Sequence, residues 1–402
     1  MKKFVLLLSV FTILVGCCIF PISYAADSIY VWSPSSVSTN TTSTTNLQLE
    51  SGSAILIEQS TGQVLYEHNS HEQLRPASVT KVMSILLIME ALHNGIISLE
   101  DTVPCSSNAR SMGGSQIWLN ENEQLTVNEM LKAICVVSAN DCTVAMAEFL
   151  YGSEEAFVQK MNERAKELGM NDTCFKNCHG IDEDGHVTSA YDISLMSREL
   201  LLKHQSVTNY TTIWMDTLRD GKSQLVNTNK LLRNYEGCIG LKTGSTSLAL
   251  YNLSASATRN GLSLIAVIMK APTTELRFGE AKKILDYGFS NFSYTSFAKA
   301  GDIVKEVSIT KGLQDNINAV FASDAGAITQ KGDSSQISQS ISLSDSFSAP
   351  ITHGQKLGEA TYSLNGTVLC TVDIVAETEV KKLSFINMST ALYKYWFCLM
   401  RN

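Results

Sequence analysis

A chain of 402 residues, 44% hydrophobic and 17% charged, has ordinary globular composition and room for two or three domains. Its formal net charge of −8, with no basic block to offset it, argues against nucleic acid as a partner.

The chain opens on a targeting segment. Lys2 and Lys3 precede an apolar run from Phe4 to Phe20, and Ser23-Tyr24-Ala25 places small residues where a signal peptidase reads. Residues 1–25 are expected to be a signal peptide. Leu14-Val15-Gly16-Cys17 is a competing lipoprotein box, disfavoured because the residues after Cys17 stay apolar. On either reading the mature protein works outside the cytoplasm. Residues 26–50, rich in Ser, Thr and Asn, read as a flexible linker.

Order begins near Ser53. Ala54 to Glu58 and Gln63 to Glu67 read as a strand hairpin turning at Ser60-Thr61-Gly62. Next comes Arg75-Pro76-Ala77-Ser78-Val79-Thr80-Lys81, followed by an almost unbroken apolar run from Val82 to Leu92. Proline suits the first helical position, and a helix apolar on all sides lies inside a core. Ser78 and Lys81 are three residues apart and share one face. Burial lowers a lysine pKa, so this pair reads as a base beside a nucleophile. The spacing alone is cheap: Ser296/Lys299 and Ser308/Lys311 repeat it without opening a long apolar helix.

Further along, Thr126 and Glu129 form a capping box at the start of a helix to Val137. Ser138-Ala139-Asn140-Asp141 connects it tightly to a helix from Cys142 to Tyr151. There the structural reading of Ser138 and Asn140 is capping of the second helix. Helices are also expected over Ser153 to Leu168, Ala190 to His204 and Glu275 to Gly288. Lys242-Thr243-Gly244 begins an edge strand. Tyr251 to Ala257 and Leu262 to Met269 form a hairpin through Asn260-Gly261. From Phe297 the pattern changes to clean alternation, as at Val368, Cys370, Val372 and Ile374, which marks a small all-β domain. The tail from Lys381 spaces Leu383, Phe385, Met388, Leu392, Trp396 and Leu399 among polar residues. It reads as an amphipathic helix for a membrane interface, with packing on the β domain as the alternative.

Two of the ten cysteines fall in the leader. Cys135 and Cys142 read as small core residues, and a Cys178–Cys238 disulfide is conceivable in an exported protein. Cys174 and Cys178-His179 lack a matching second pair for a metal, and no cofactor is expected.

Ser78-x-x-Lys81, Ser138-x-Asn140 and Lys242-Thr243-Gly244, in this order and in an exported chain, resemble the serine-type D-Ala-D-Ala carboxypeptidases, the low-molecular-mass penicillin-binding proteins. Ser111 to Ser115, Asn177 to Gly180 and Asn227 to Leu232 also resemble family segments. The resemblance implies an α+β architecture. A β-lactamase/transpeptidase-like catalytic domain, with an antiparallel sheet and helices on both sides, would span residues 51–295. The all-β domain would span 296–378 and the membrane-associating tail 379–402. It implies Ser78 as nucleophile, Lys81 as base and Ser138 as proton relay. Asn140, Lys242, Thr243, Gly244 and Ser245 would bind substrate, with Arg277 supporting the carboxylate site or merely solvated. The implied partners are peptidoglycan stem peptides ending in D-Ala-D-Ala and β-lactam inhibitors. Two departures count. Class A β-lactamases share the three motifs but carry Asp where this chain has Ala139, which favours the carboxypeptidase over a β-lactamase. Ser245 stands where the family usually has an aromatic residue or His. A non-catalytic penicillin-sensing module is a further alternative, which an intact relay serine disfavours.

Overall fold

The computed structural model describes residues 47–385 together with Met388, Ser389, Tyr393 and Trp396. The expected signal peptide (residues 1–25), residues 26–46 of the expected linker, Cys17, Cys18, Cys398 and the tail residues Leu392 and Leu399 lie outside the described residues.

The first sheet has five antiparallel strands. They are β1 (Ser53–Glu58), β2 (Val64–His68), β3 (Cys238–Thr246), β4 (Leu250–Arg259) and β5 (Leu262–Ala271), in the order β2-β1-β5-β4-β3. Strand alternation sends successive side chains to opposite faces. Ile55, Ile57, Ile265 and Val267 therefore join one core, while Ala54, Leu56, Leu264 and Ala266 join another. The β4–β5 turn has Asn260 and Gly261 at φ 50° and 79°, the left-handed pair that a two-residue hairpin needs.

The first core holds α1 (Lys81–His93), α2 (Val127–Val136), α3 (Asn140–Tyr151), α4 (Glu154–Glu167) and α5 (Ala190–Lys203). Every residue of α1 from Lys81 to Met89 is buried, as a helix apolar all round should be. Its entry differs from the expectation. Ala77–Thr80 is a 3-10 turn, and the α-helix proper starts at Lys81. Side chains three apart eclipse in a 3-10 turn, which tightens the Ser78/Lys81 pairing. The capping box at α2 is present on both sides. Neither Ser138 nor Asn140 caps α3: the N-cap is Ala139, with no side-chain bond, and Asn140 is already helical. Both side chains are left for other work. The second core lies under α6 (Thr274–Asn291), which lays Phe278, Ala281, Ile284 and Leu285 on the opposite sheet face.

The conceivable Cys178–Cys238 disulfide does not form; both cysteines are free. Cys178 belongs to the core on one face of the sheet and Cys238 packs against the core on the other, so the sheet keeps them apart.

The C-terminal domain is all-β. A two-stranded sheet pairs β6 (Phe292–Ala298) with β9 (Ala325–Gln330). A six-stranded sheet contains β7 (Ile303–Thr310), β8 (Asn316–Phe321), β10 (Ile337–Leu343), β11 (Ser346–Ser348), β12 (Lys356–Leu364) and β13 (Thr367–Ala376). It has its own hydrophobic core. Ser296 and Ser308, from the two decoy motifs, lie on β6 and β7, away from any helix start.

Candidate active site

Three elements converge on Ser78. The 3-10 turn carries it, partly exposed, directly after Ala77, whose φ of 48° turns the chain sharply. The α2–α3 connection brings Ser138 and Asn140. Edge strand β3 brings Lys242, Thr243 and Gly244. A Cβ on Gly244 would lie 2.9 Å from Ser78 N and 2.8 Å from Val79 N, so only glycine lets β3 come this close to the turn that carries Ser78.

Lys81 is 0% exposed. Its Nζ lies 2.6 Å from Asn140 Oδ1, 2.6 Å from the His179 carbonyl oxygen and 3.1 Å from Ser78 Oγ. The first two partners only accept. Asn140 is oriented by its own second contact, Nδ2 donating to Gly113 O at 2.7 Å, which puts its carbonyl toward the lysine. Two N–H bonds of a neutral amine satisfy both acceptors and leave the lone pair toward Ser78, whose hydroxyl can donate. Burial, and then the Lys242 cation, hold Lys81 well below the ordinary lysine range.

Ser138 sits in a left-handed conformation at φ 66°, and its buried Oγ has no hydrogen-bond partner among the described residues. Strained backbone and an unpaired buried hydroxyl cost stability, and such features concentrate at functional sites. Lys242 is buried, donates to the Thr243 carbonyl at 3.0 Å, and is pushed down to about 7, chiefly by burial. Ser245 is exposed. Arg277 is buried, which removes the solvated alternative. Its Nη1 donates to Gly244 O and Asn252 O, each at 3.3 Å, and burial lowers it to about 10.

Several supporting residues escaped the sequence reading. Thr228 Oγ1 lies 2.6 Å from Thr243 Oγ1 and so fixes that hydroxyl. The Asp141 carboxylate accepts from Ile117 N and Leu119 N and ties the 113–119 segment under Asn140. His186 is buried, accepts from Lys176 N at Nδ1 and pairs with Thr80 Oγ1 through Nε2. Thr80 in turn donates to Ala77 O. The His186 ring thereby braces the turn that carries Ser78. Burial lowers His179 to about 3 and His186 to about 4, so both rings are neutral. The recognisable family segment Asn227 to Leu232 was the available signal for Thr228; nothing local pointed to the other two.

This site and fold define a class. Residues 39–273 match the family described as D-alanyl-D-alanine carboxypeptidase, and residues 292–382 match the penicillin-binding protein 5 C-terminal domain. The chain belongs to the D-alanyl-D-alanine carboxypeptidase family and is a serine-type enzyme of that class. Among particular relatives, it is 46% identical over 347 residues to D-alanyl-D-alanine carboxypeptidase DacF of Bacillus subtilis, covering 85% of this chain and 89% of the relative. Penicillin binding protein 5 from Haemophilus influenzae superposes with a TM-score of 0.72 at 30% identity, over 83% of this chain and 98% of its own. Penicillin-binding protein D2 from Listeria monocytogenes, solved in an ampicillin-bound form, superposes with a TM-score of 0.56 at 31% identity. That match covers 61% of this chain and 99% of its own.

Proposed function

We propose that the enzyme removes the terminal D-alanine from peptidoglycan stem peptides through an acyl-enzyme on Ser78. The observation that carries this is the buried Lys81, with both N–H directions taken by acceptors and its third contact on Ser78 Oγ. Lys81 Nζ takes the Ser78 proton as Oγ attacks the carbonyl between the two D-alanines. The backbone N–H groups of Ser78 and Ser245 receive the developing oxyanion; such a donor is typically worth roughly 3 kcal/mol. The C–N bond then breaks, and the leaving amine takes the proton from Lys81 by way of Ser138 Oγ. Water hydrolyses the ester by the same steps in reverse. Lys242 and the Thr243 hydroxyl hold the substrate's terminal carboxylate, Arg277 adds positive charge behind Gly244, and Asn140 pairs with the substrate backbone.

Penicillins acylate the same serine on this reading. The catalytic unit ends at Asn291 and the β domain begins with β6 at Phe292; the tail beyond Lys382 lies on the outer face of the cytoplasmic membrane. Phe385, Met388, Tyr393 and Trp396 are helical, exposed and spaced to share a face, which supports an interfacial tail. Among the described residues no helix is long and apolar enough to cross a membrane. The β domain spaces the site from that surface.

The test is D-alanine release from diacetyl-Lys-D-Ala-D-Ala by the wild type beside Ser78→Ala. Wild type should release D-alanine and the variant none. Equal release by both would overturn the assignment. Rapid penicillin turnover without D-alanine release would identify a β-lactamase, and stoichiometric acylation without turnover a penicillin sensor.

A further inference from the structure

Trp118 is 74% exposed and stands between two buried neighbours, Ile117 and Leu119. Its φ of 54° is a left-handed conformation that a bulky residue rarely adopts. The backbone around it is clamped from both sides. The Asp141 carboxylate accepts from Ile117 N and Leu119 N, at 3.1 Å each to Oδ2. Arg219 donates to Ile117 O at 2.8 Å and to Trp118 O at 3.4 Å, and is itself held by Glu123 at 2.6 Å. An exposed indole on a fixed backbone is a pre-ordered surface, because its ordering cost falls on folding and not on binding.

The clamp also fixes where that surface stands. Asp141 follows Asn140 directly. Asn140 holds Lys81 with one side-chain atom and Gly113 O with the other, and its backbone N donates to Ser115 O at 2.7 Å. Trp118 is three residues past Ser115, a reach of at most about 10 Å. Its backbone therefore lies close to the Asn140 side of the site. The substrate has a single residue beyond the scissile bond, and on the functional reading above, on which this inference rests, that residue's carboxylate is held by β3. What passes the Asn140 side is the part of the peptide before the scissile bond.

We infer that Trp118 is a specificity residue: its indole forms an aromatic wall for the aliphatic side chain of the residue preceding D-Ala-D-Ala. A flat ring suits a methylene chain, which gains burial without needing a hydrogen-bond partner. The wall favours long side chains at that position over glycine.

The test compares kcat/KM for acetylated X-D-Ala-D-Ala peptides with X as glycine, alanine, norleucine and diacetyl-lysine. The wild-type rate should climb with side-chain length. In Trp118→Ala the ratio of the diacetyl-lysine peptide to the glycine peptide should fall about tenfold, the scale of one well-placed apolar contact. Trp118→Phe should recover most of that ratio. A ratio unchanged in Trp118→Ala, whatever the absolute rates, overturns the inference while leaving the Ser78 mechanism standing. D-Alanine release by Ser78→Ala overturns both.

Discussion

Lys81 sits in a place that few lysines tolerate, and each of its contacts answers a cost of being there. Its two acceptor partners satisfy the N–H groups, and burial beside Lys242 favours the neutral form that a base requires. The residue types of this site were readable because three short motifs carry them. Their supports were not, because Asp141, Thr228 and His186 act across 15 to 106 residues of chain. His186 carries a testable pH dependence. Its folded value, about 4, lies below the ordinary 6.5, so between those values the unfolded chain binds a proton that the folded one refuses. Stability is full above about pH 6.5 and is lost as pH falls toward 4. This one group accounts for about 2 kcal/mol at pH 5. Protonation would also set Nδ1–H against the Lys176 N–H. Thermal melts at pH 7 and pH 5 should show a smaller acid loss for His186→Gln than for wild type; an equal loss would mean the ring is not a source of acid sensitivity.

Elements were legible where a local pattern decides them. The capping box at α2, the Asn-Gly hairpin and the all-round apolar α1 follow from residues within a few positions of each other. The 3-10 entry to α1 was not legible. It depends on His186 and Thr80 bracing Ala77 from a distant loop, and on β3 lying against the turn. The contact between β3 and that turn is the element-scale feature with most at stake. In Gly244→Ala the new methyl would meet Val79 N, Pro76 O and Ser78 N, all backbone, at 2.8 to 2.9 Å. The strand must retreat, and a misplacement near 1 Å costs about a hundredfold in rate. D-Alanine release should fall by about that factor, while folding stability measured by denaturant melts drops only by the amount expected for overpacking, roughly 1–3 kcal/mol. A variant with normal turnover would show that the close approach is dispensable.

The molecule as a whole keeps its chemistry on one side of a division between cores. Both cores of the catalytic fold flank the five-stranded sheet, and the β domain has a third; Ile328 of β9 reaches across to the core under α6. The change in periodicity near Phe297 made that division visible, although the first β-domain strand already begins at Phe292. A chain ending at residue 291 should hydrolyse the soluble peptide with nearly the full kcat/KM, and should no longer sediment with anionic vesicles. Loss of hydrolysis would show that the β domain completes the site. The burial of α1 has a different consequence. Most enzymes place catalytic groups on segments that open locally while the rest stays folded. Here Ser78 and Lys81 open a helix whose next two turns lie wholly inside the main core, so no small opening can release them. Heat inactivation and global unfolding should therefore be a single event, and the slowest-exchanging amides of the protein should include those that follow Lys81.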